Sequence, residues 1–274
     1  MDNSLGNRMK EYENTWRQYL PRRMACILRL DGCHFHTFTR GFDKPYDTAL
    51  AEAMRALTIK LCENIAGVKF GYTTSDEISL LLSDVDTLET IPWFGKNIQK
   101  MVSVAASMAG YYFKDLFYEC ADKAWENRPA NKESTELIQT HLAALEKGPI
   151  IFDCRAFVLP WDDVANYFYW REQESIYNSI SALAQMHFTQ KELNGKTCYD
   201  MCQMLRSIGH DWEATSLAYQ RGVSARKRPY VIPNTTIERR KWVIDIEIPI
   251  FCQNPEYILN EVPNLKNGDS NYGY

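Results

Sequence analysis

The chain has 274 residues, 45% of them hydrophobic and 24% charged, with a formal net charge of −4. This suits one large globular domain or two smaller ones and excludes a bulk polycation, so any nucleic-acid contact must come from a local basic patch. The polar N-terminus "MDNSLGNRMKEYENTW" has no signal-peptide core and no apolar run reaches membrane-spanning length, so the expected location is cytoplasmic, with no membrane partner.

"MACILRL" (Met24 to Leu30), bounded by Pro21 and by Asp31–Gly32, predicts a buried strand. After "GFDKP", Leu50, Ala53, Met54, Leu57, Leu61 and Ile65 recur at helical spacing, and Gly67 stands where a helix stops. "VKFGYT" (Val68 to Thr73) and "EISLLL" (Glu77 to Leu82) predict two strands joined as a hairpin. Ile98, Met101, Val102, Ala105, Ala109 and Tyr112 mark a second helix, and "RPANKEST" (Arg128 to Thr135) reads as a loop. "PIIFDCRAFVLP" (Pro149 to Pro160) is a fourth strand between two prolines.

Beyond Trp161, Val164, Phe168, Ile176, Ile180, Leu183, Ala184 and His187 predict one long helix, with shorter helices after it. "GVSARKRPYVIP" (Gly222 to Pro233) reads as a basic loop, and "RRKWVIDIEIPIF" (Arg239 to Phe251) as a late strand or hairpin. The tail "NLKNGDSNYGY" reads as loose. The order β-α-β-β-α-β is the split βαβ, ferredoxin-like pattern. The expected fold class is therefore α+β, with a core over residues 1–160 and a helical and β extension over 161–274 packed on it.

Right-handed crossovers place the first and second strands parallel, with the third antiparallel between them. Asp31, at the end of the first strand, then falls at the same sheet edge as Asp76 in the hairpin turn. Two aspartates beside the hydroxyls of Thr73, Thr74 and Ser75 suit Mg²⁺, which takes hard oxygen ligands and substrate phosphates. A carbonyl at Gly32 could complete the shell, and paired ions could activate one oxygen and stabilise another. Glu77 is the weaker ligand, because a strand starting there turns it away from Asp76. Lys44 offers a point charge for a triphosphate. Arg29 shares a strand face with Asp31, which suits a counter-ion.

Other motifs carry less. "CHFH" (Cys33 to His36) lacks a second ligand group for zinc, and the eight scattered cysteines contain no C-x-x-C pair. "NGKT" (Asn194 to Thr197) ends like a phosphate loop, but its first glycine would fall on Gln190.

Taken together, "RLDGCHFHTFTRGFDKPYD" (Arg29 to Asp47), "SDE" (Ser75 to Glu77), "FDCRAFVLP" (Phe152 to Pro160) and "YWREQE" (Tyr169 to Glu174) resemble the tRNA-histidine guanylyltransferase family. The resemblance spans roughly residues 5 to 230 and is dense in those blocks. It implies a polymerase-palm-like core, with Asp31 and Asp76 as catalytic residues and two Mg²⁺ ions on Asp31, the Gly32 carbonyl and Asp76. It implies a nucleoside triphosphate site around Gly32, Cys33, His34, Phe35, His36, Lys44, Ser75 and Asp76. Arg29, Glu77, Lys100, Arg155 and Asn178 are secondary candidates, and Arg226, Lys227 and Arg228 are expected to contact RNA. The implied substrates are tRNA with ATP and GTP or other nucleoside triphosphates, and the implied assembly is a homotetramer.

One departure stands out. Dedicated eukaryotic members carry H-I-N-N-L-Y-N where this chain reads "IYNSISA" (Ile176 to Ala182), so only Asn178 matches. That resembles the guanylyltransferase-like branch, which repairs truncated tRNA 5′ ends by templated 3′-to-5′ addition. The alternatives are dedicated addition of G to histidine tRNA, a palm-type nucleotide cyclase, and an RNA-binding module without catalysis.

Overall fold

The apolar runs that read as strands pair into one sheet, because each can bury its side chains only beneath helices on both faces. The computed structural model describes residues 4–233 and 235–263. The "NLKNGDSNYGY" tail lies outside the described residues.

Six strands form the sheet: β1 (Ala25–Gly32), β2 (Val68–Thr74), β3 (Glu77–Leu82), β4 (Phe152–Leu159), β5 (Val223–Val231) and β6 (Glu238–Asp245). The helices are α1 (Ser4–Thr15), α2 (Phe35–Phe38), α3 (Thr48–Asn64), α4 (Ile98–Glu126), α5 (Lys132–Glu146), α6 (Val164–Gln185), α7 (Gln190–Leu193), α8 (Cys198–Ser207), α9 (Leu217–Arg221) and α10 (Glu256–Leu259). The spatial strand order is β4-β1-β3-β2-β5-β6. β3 lies between β1 and β2 and is antiparallel to both, as right-handed crossovers require.

Alternation along the strands divides the core. Leu28, Leu30, Ile78 and Leu80 pack with α3 and α4 in one cluster. Ile27, Phe70, Tyr72 and Leu81 pack on the other face against Tyr167 and Phe168 of α6 and against Phe251. Each fully buried Leu or Phe here contributes about 1.5–3 kcal/mol. Among the described residues, no helix is long and apolar enough to cross a membrane.

Three segments differ from their sequence reading. Residues 132–135 of "RPANKEST" open α5, because the Asn131 side chain accepts from the Ser134 amide and caps the helix. Asp31 and Gly32 belong to β1 itself, where Asp31 pairs in register with Glu77 on one side and Asp153 on the other. The "basic loop" is β5. It pairs with β2 at Gly71–Ala225 and then with β6, so the chain beyond residue 160 extends the same sheet.

Candidate active site

The end of β1 and the β2–β3 turn make the site. Thr74 pairs with Glu77, leaving Ser75 and Asp76 as a two-residue hairpin turn, with Ser75 at φ 51°. The Gly32 amide donates to the Asp76 carbonyl at 3.2 Å, tying the strand end to this turn. Gly32 has to be glycine, since a Cβ there would lie 2.2 Å from the Phe35 ring.

Burial pushes the Asp31 carboxyl up to about 6, and the charges of Asp76, Glu77 and Asp153 add to this against Arg29. Burial also raises Asp76, opposed by its own amide and by the Ser75 hydroxyl, which donates to Oδ1 at 3.0 Å. Glu77 is committed elsewhere: its two oxygens accept from Nε and Nη2 of Arg171, each at 2.7 Å. That row of the sheet therefore faces α6.

A divalent cation fits this edge. Asp31 and Asp76 offer hard oxygens whose mutual repulsion a cation would relieve, while Glu77 is already neutralised. Among the described residues, no three His, Cys, Asp or Glu side chains gather into a metal cage. What remains is the two-carboxylate arrangement that Mg²⁺ uses together with substrate phosphates.

The repulsion has a measurable consequence. An unfolded Asp titrates near 3.8, and folded Asp31 near 6. Below the first value both states are protonated and nothing is lost; as pH rises through the second, the charge penalises only the fold. Two units would be about 3 kcal/mol, which solvent screening of this half-exposed group reduces to about 1 kcal/mol. Asp31→Asn is thus expected to stabilise the metal-free protein by about 1 kcal/mol above pH 7 and to leave it unchanged at pH 3.5 or below. Chemical denaturation in EDTA at the two pH values checks this; equal stability of variant and parent above pH 7 would contradict the charge cluster.

Beside the carboxylates opens a cleft of about 310 Å³. Its walls come from the loop Lys44 to Asp47, from α3, from Thr73 to Ser75, from α6 at Ser175, Asn178 and Ser179, and from Ala218, Tyr219 and Val223. Arg55 donates to the Tyr46 hydroxyl at 2.9 Å, and the Tyr46 ring meets Tyr219 edge-on at 5.7 Å. The Thr74 and Ser175 hydroxyls lie 2.7 Å apart, joining the hairpin to α6. Gly222 (φ 74°) lets β5 begin here, since a Cβ would sit 2.6 Å from the Thr73 carbonyl. Walls that mix apolar side chains with the cations Lys44 and Arg55 and the hydroxyls of Thr73, Thr74, Ser75, Ser175 and Ser179 suit a small anionic ligand.

A family model described as tRNAHis guanylyltransferase matches residues 6–160. The chain belongs to the tRNA(His) guanylyltransferase family. Two solved structures of a bacterial tRNA(His) guanylyltransferase (Thg1)-like protein resemble this family member over nearly its whole length. The one in complex with ATP has a TM-score of 0.76 at 38% identity and covers 94% of this chain and 98% of its own. The one in complex with GTP has a TM-score of 0.76 at 37% identity, covering 95% and 99%. A protein of Acanthamoeba polyphaga mimivirus, named Uncharacterized protein R259, is 27% identical over 238 residues, covering 82% of this chain and 77% of its own length.

In this guanylyltransferase-family chain, the structure brings together some of the sequence candidates and separates others. Asp31, Gly32, Ser75, Asp76 and Lys44 converge on the turn and the adjoining cleft, and Asn178 lines that cleft. Cys33 borders the acidic edge, its Sγ 3.8 Å from Asp153 Oδ2. His34 and His36 are exposed, whereas the Phe35 side chain is buried against Phe113 and Phe152, so only its backbone can face a ligand. Arg29 and Arg155 stand opposite each other on β1 and β4.

Lys100 stands apart from these residues. It lies in the first turn of α4, beside Phe94, whereas Phe113 of the same helix packs near Gly32 on Phe35. Thirteen residues of helix separate the two positions by roughly 20 Å. Arg226 and Arg228 both donate to Glu261, at 2.8 and 2.9 Å, and the Arg226 guanidinium lies 3.7 Å from the Tyr257 ring. Their charge is largely matched inside the protein, leaving Lys227 the exposed cation of the three. Ile176 packs in the apolar cluster of Ile180, Met201 and Leu205, which explains an aliphatic side chain there. Tyr46, Asp47, Arg55, Ser175 and Tyr219 were missed. The signal for Asp47 was its place three residues before Leu50, as the cap of α3; the others belong to no contiguous motif.

Proposed function

We propose that this protein adds nucleotides to the 5′ end of tRNA or truncated tRNA in the 3′-to-5′ direction, selecting them by pairing with the opposing strand. The observation that carries this is the joining of Asp31 and Asp76 at one sheet edge with a nucleotide-sized cleft that begins at Lys44 and Ser75. The complexes of the bacterial relatives with ATP and GTP support the reading.

The core is read as polymerase-palm-like. Asp31, the Gly32 carbonyl and Asp76 would hold Mg²⁺, which when bound supplies charge neutralisation for phosphate transfer. The cleft residues Tyr46 and Tyr219 flank the base and sugar of the activating nucleotide, and Lys44 and Ser75 orient its triphosphate. The RNA 5′ phosphate attacks the α-phosphorus of ATP and pyrophosphate leaves. The 3′ hydroxyl of the incoming nucleotide then attacks the activated phosphorus and AMP leaves. The proton of that hydroxyl passes to solvent or to an acidic group at the edge. The exposed Lys227 serves as a phosphate contact, positioning RNA without reading sequence.

Lys44→Ala is expected to lose a charge-assisted contact of about 1.5–3 kcal/mol, raising KM for the triphosphate roughly tenfold to a hundredfold. Steady-state kinetics with varied ATP check this, and an unchanged KM would make Lys44 a surface residue.

Dedicated guanylylation of histidine tRNA is the second reading, and Ile176 in its apolar cluster argues against it. The test uses four tRNA acceptor stems that lack the first 5′ nucleotide and differ in the opposing base, each offered the four nucleotides separately. Templating predicts preferential addition of the complementary nucleotide, since each mispaired donor or acceptor costs about 1–3 kcal/mol. Efficient addition of G whatever the opposing base would refute it.

A further inference from the structure

The loop that carries Lys44 is held from behind by a set of buried groups, of which only Asp47 touches the cleft. Asp47 is 6% exposed and His141, on α5, is 1% exposed. Asp47 Oδ1 accepts from the Leu50 amide at 2.9 Å, which caps α3. Its Oδ2 accepts from the Asp43 amide at 3.2 Å and pairs with His141 Nε2 at 2.9 Å. The Asp43 bond closes residues 43–47 into a ring whose outer members, Lys44, Pro45 and Tyr46, line the cleft.

Behind His141 stands Trp125 of α4, whose indole Nε1–H donates to His141 Nδ1 at 3.1 Å. An indole nitrogen can only donate, so Nδ1 is the acceptor and the ring proton sits on Nε2, aimed at Asp47. A second tie crosses the same gap, because Arg128, just beyond α4, pairs with the Asp43 carboxylate.

A histidine buried between Phe42 and Phe117 could simply fill space. Space filling, however, does not require both ring nitrogens to be engaged with opposite polarity. An aliphatic side chain would fill the volume and leave the indole N–H and one Asp47 lone pair without partners.

We propose that His141, oriented by Trp125, is a positioning residue that locks the ring Asp43–Asp47 and so sets Lys44 and Tyr46 for the activating nucleotide. This rests on the nucleotide reading of the cleft. α4 and α5 thereby act on the reaction without touching substrate. The role is one of binding geometry, so its loss falls on KM and little on kcat.

The test compares His141→Leu, His141→Gln and Trp125→Phe in the full chain. Hydrogen exchange of the segment 41–51 is read alongside KM and kcat for ATP in 5′-end activation, well below the melting temperature of each variant. In His141→Leu the Asp43 and Leu50 amides should exchange about tenfold faster, and KM should rise about tenfold with kcat within about threefold, as expected for loss of a hydrogen bond to a charged group. Gln can donate to Asp47 and accept from Trp125, so His141→Gln should return both readouts to within about threefold of the parent. Trp125→Phe keeps an aromatic ring, though a smaller one, and removes the donor, so it should give a smaller change in the same direction; it carries the test if His141→Leu does not fold.

Unaltered exchange at residues 43–50, or acceleration spread evenly over the fold, would overturn the clamp. So would a His141→Gln variant that behaves as His141→Leu does. Faster local exchange with an unchanged KM overturns the link to nucleotide binding; if Lys44→Ala also keeps a normal KM, the failure lies in the nucleotide reading of the cleft itself.

Discussion

Replacing either Asp31 or Asp76 by alanine is expected to lower nucleotide addition by about three orders of magnitude or more while the fold stays intact. Each substitution removes one of the two carboxylates proposed to hold Mg²⁺ where β1 meets the β2–β3 turn. Loss of a ligand from a charge-neutralising centre costs several kcal/mol of transition-state stabilisation, and about 4 kcal/mol is a factor of roughly a thousand. Stability should not suffer, because burial and the neighbouring negative charges already disfavour the ionised Asp31. Circular dichroism, melting and a turnover assay on the two variants decide the point. Near-parent activity in either would remove that residue from the chemistry.

The second large effect concerns stability. Glu172 on α6 is fully buried, accepts from Arg221 Nε at 2.6 Å and accepts from the Phe251 amide at 3.2 Å. Burial raises its pKa, and Arg221 opposes the shift. This pair joins α6 to the end of α9 and to the chain near Phe251, behind the cleft wall at Tyr219 and Val223. Arg221→Ala strands a buried carboxylate and is expected to cost about 3–5 kcal/mol, lowering Tm by about 10 °C. The double variant Glu172→Met with Arg221→Met should recover much of that, since no charge is left unpaired, but not all, because the Phe251 amide loses its acceptor at about 1–3 kcal/mol. A single variant that melts within about 1 °C of the parent would contradict this accounting.

The parts of the fold legible in the sequence share one property: their signal is local. β3 spans the residues read as a strand, Glu77–Leu82, because five apolar or small residues follow a turn that cannot continue a strand. α6 was legible because apolar residues recur at helical spacing at both of its ends, Val164 to Phe168 and Ile180 to Ala184, although Glu172, Ser175 and Ser179 interrupt the buried face between them. The meeting of Asp31 and Asp76 followed from the handedness of crossovers, which is a general constraint.

What stayed hidden depends on distant partners. α1 buries no residue, so it left no apolar stripe facing a core. α5 begins in a polar stretch whose helical start is visible only through the Asn131 cap. The basic run at Arg226 to Arg228 read as a loop because neither its pairing with β6 nor Glu261 can be seen from local composition. The cleft draws its walls from four separate stretches of chain, and no spacing rule links Tyr46 to Tyr219.

On the proposed function, the 5′ end of RNA grows at the edge formed by Asp31 and Asp76. The most direct measurement incubates the protein with Mg²⁺, labelled nucleoside triphosphates, ATP and a 5′-truncated tRNA, and maps the labelled nucleotide to one end of the product. Label is expected at the 5′ end, complementary to the opposing base and absent with Asp76→Ala. Label at the 3′ end, or equal 5′ labelling by Asp76→Ala, would contradict it.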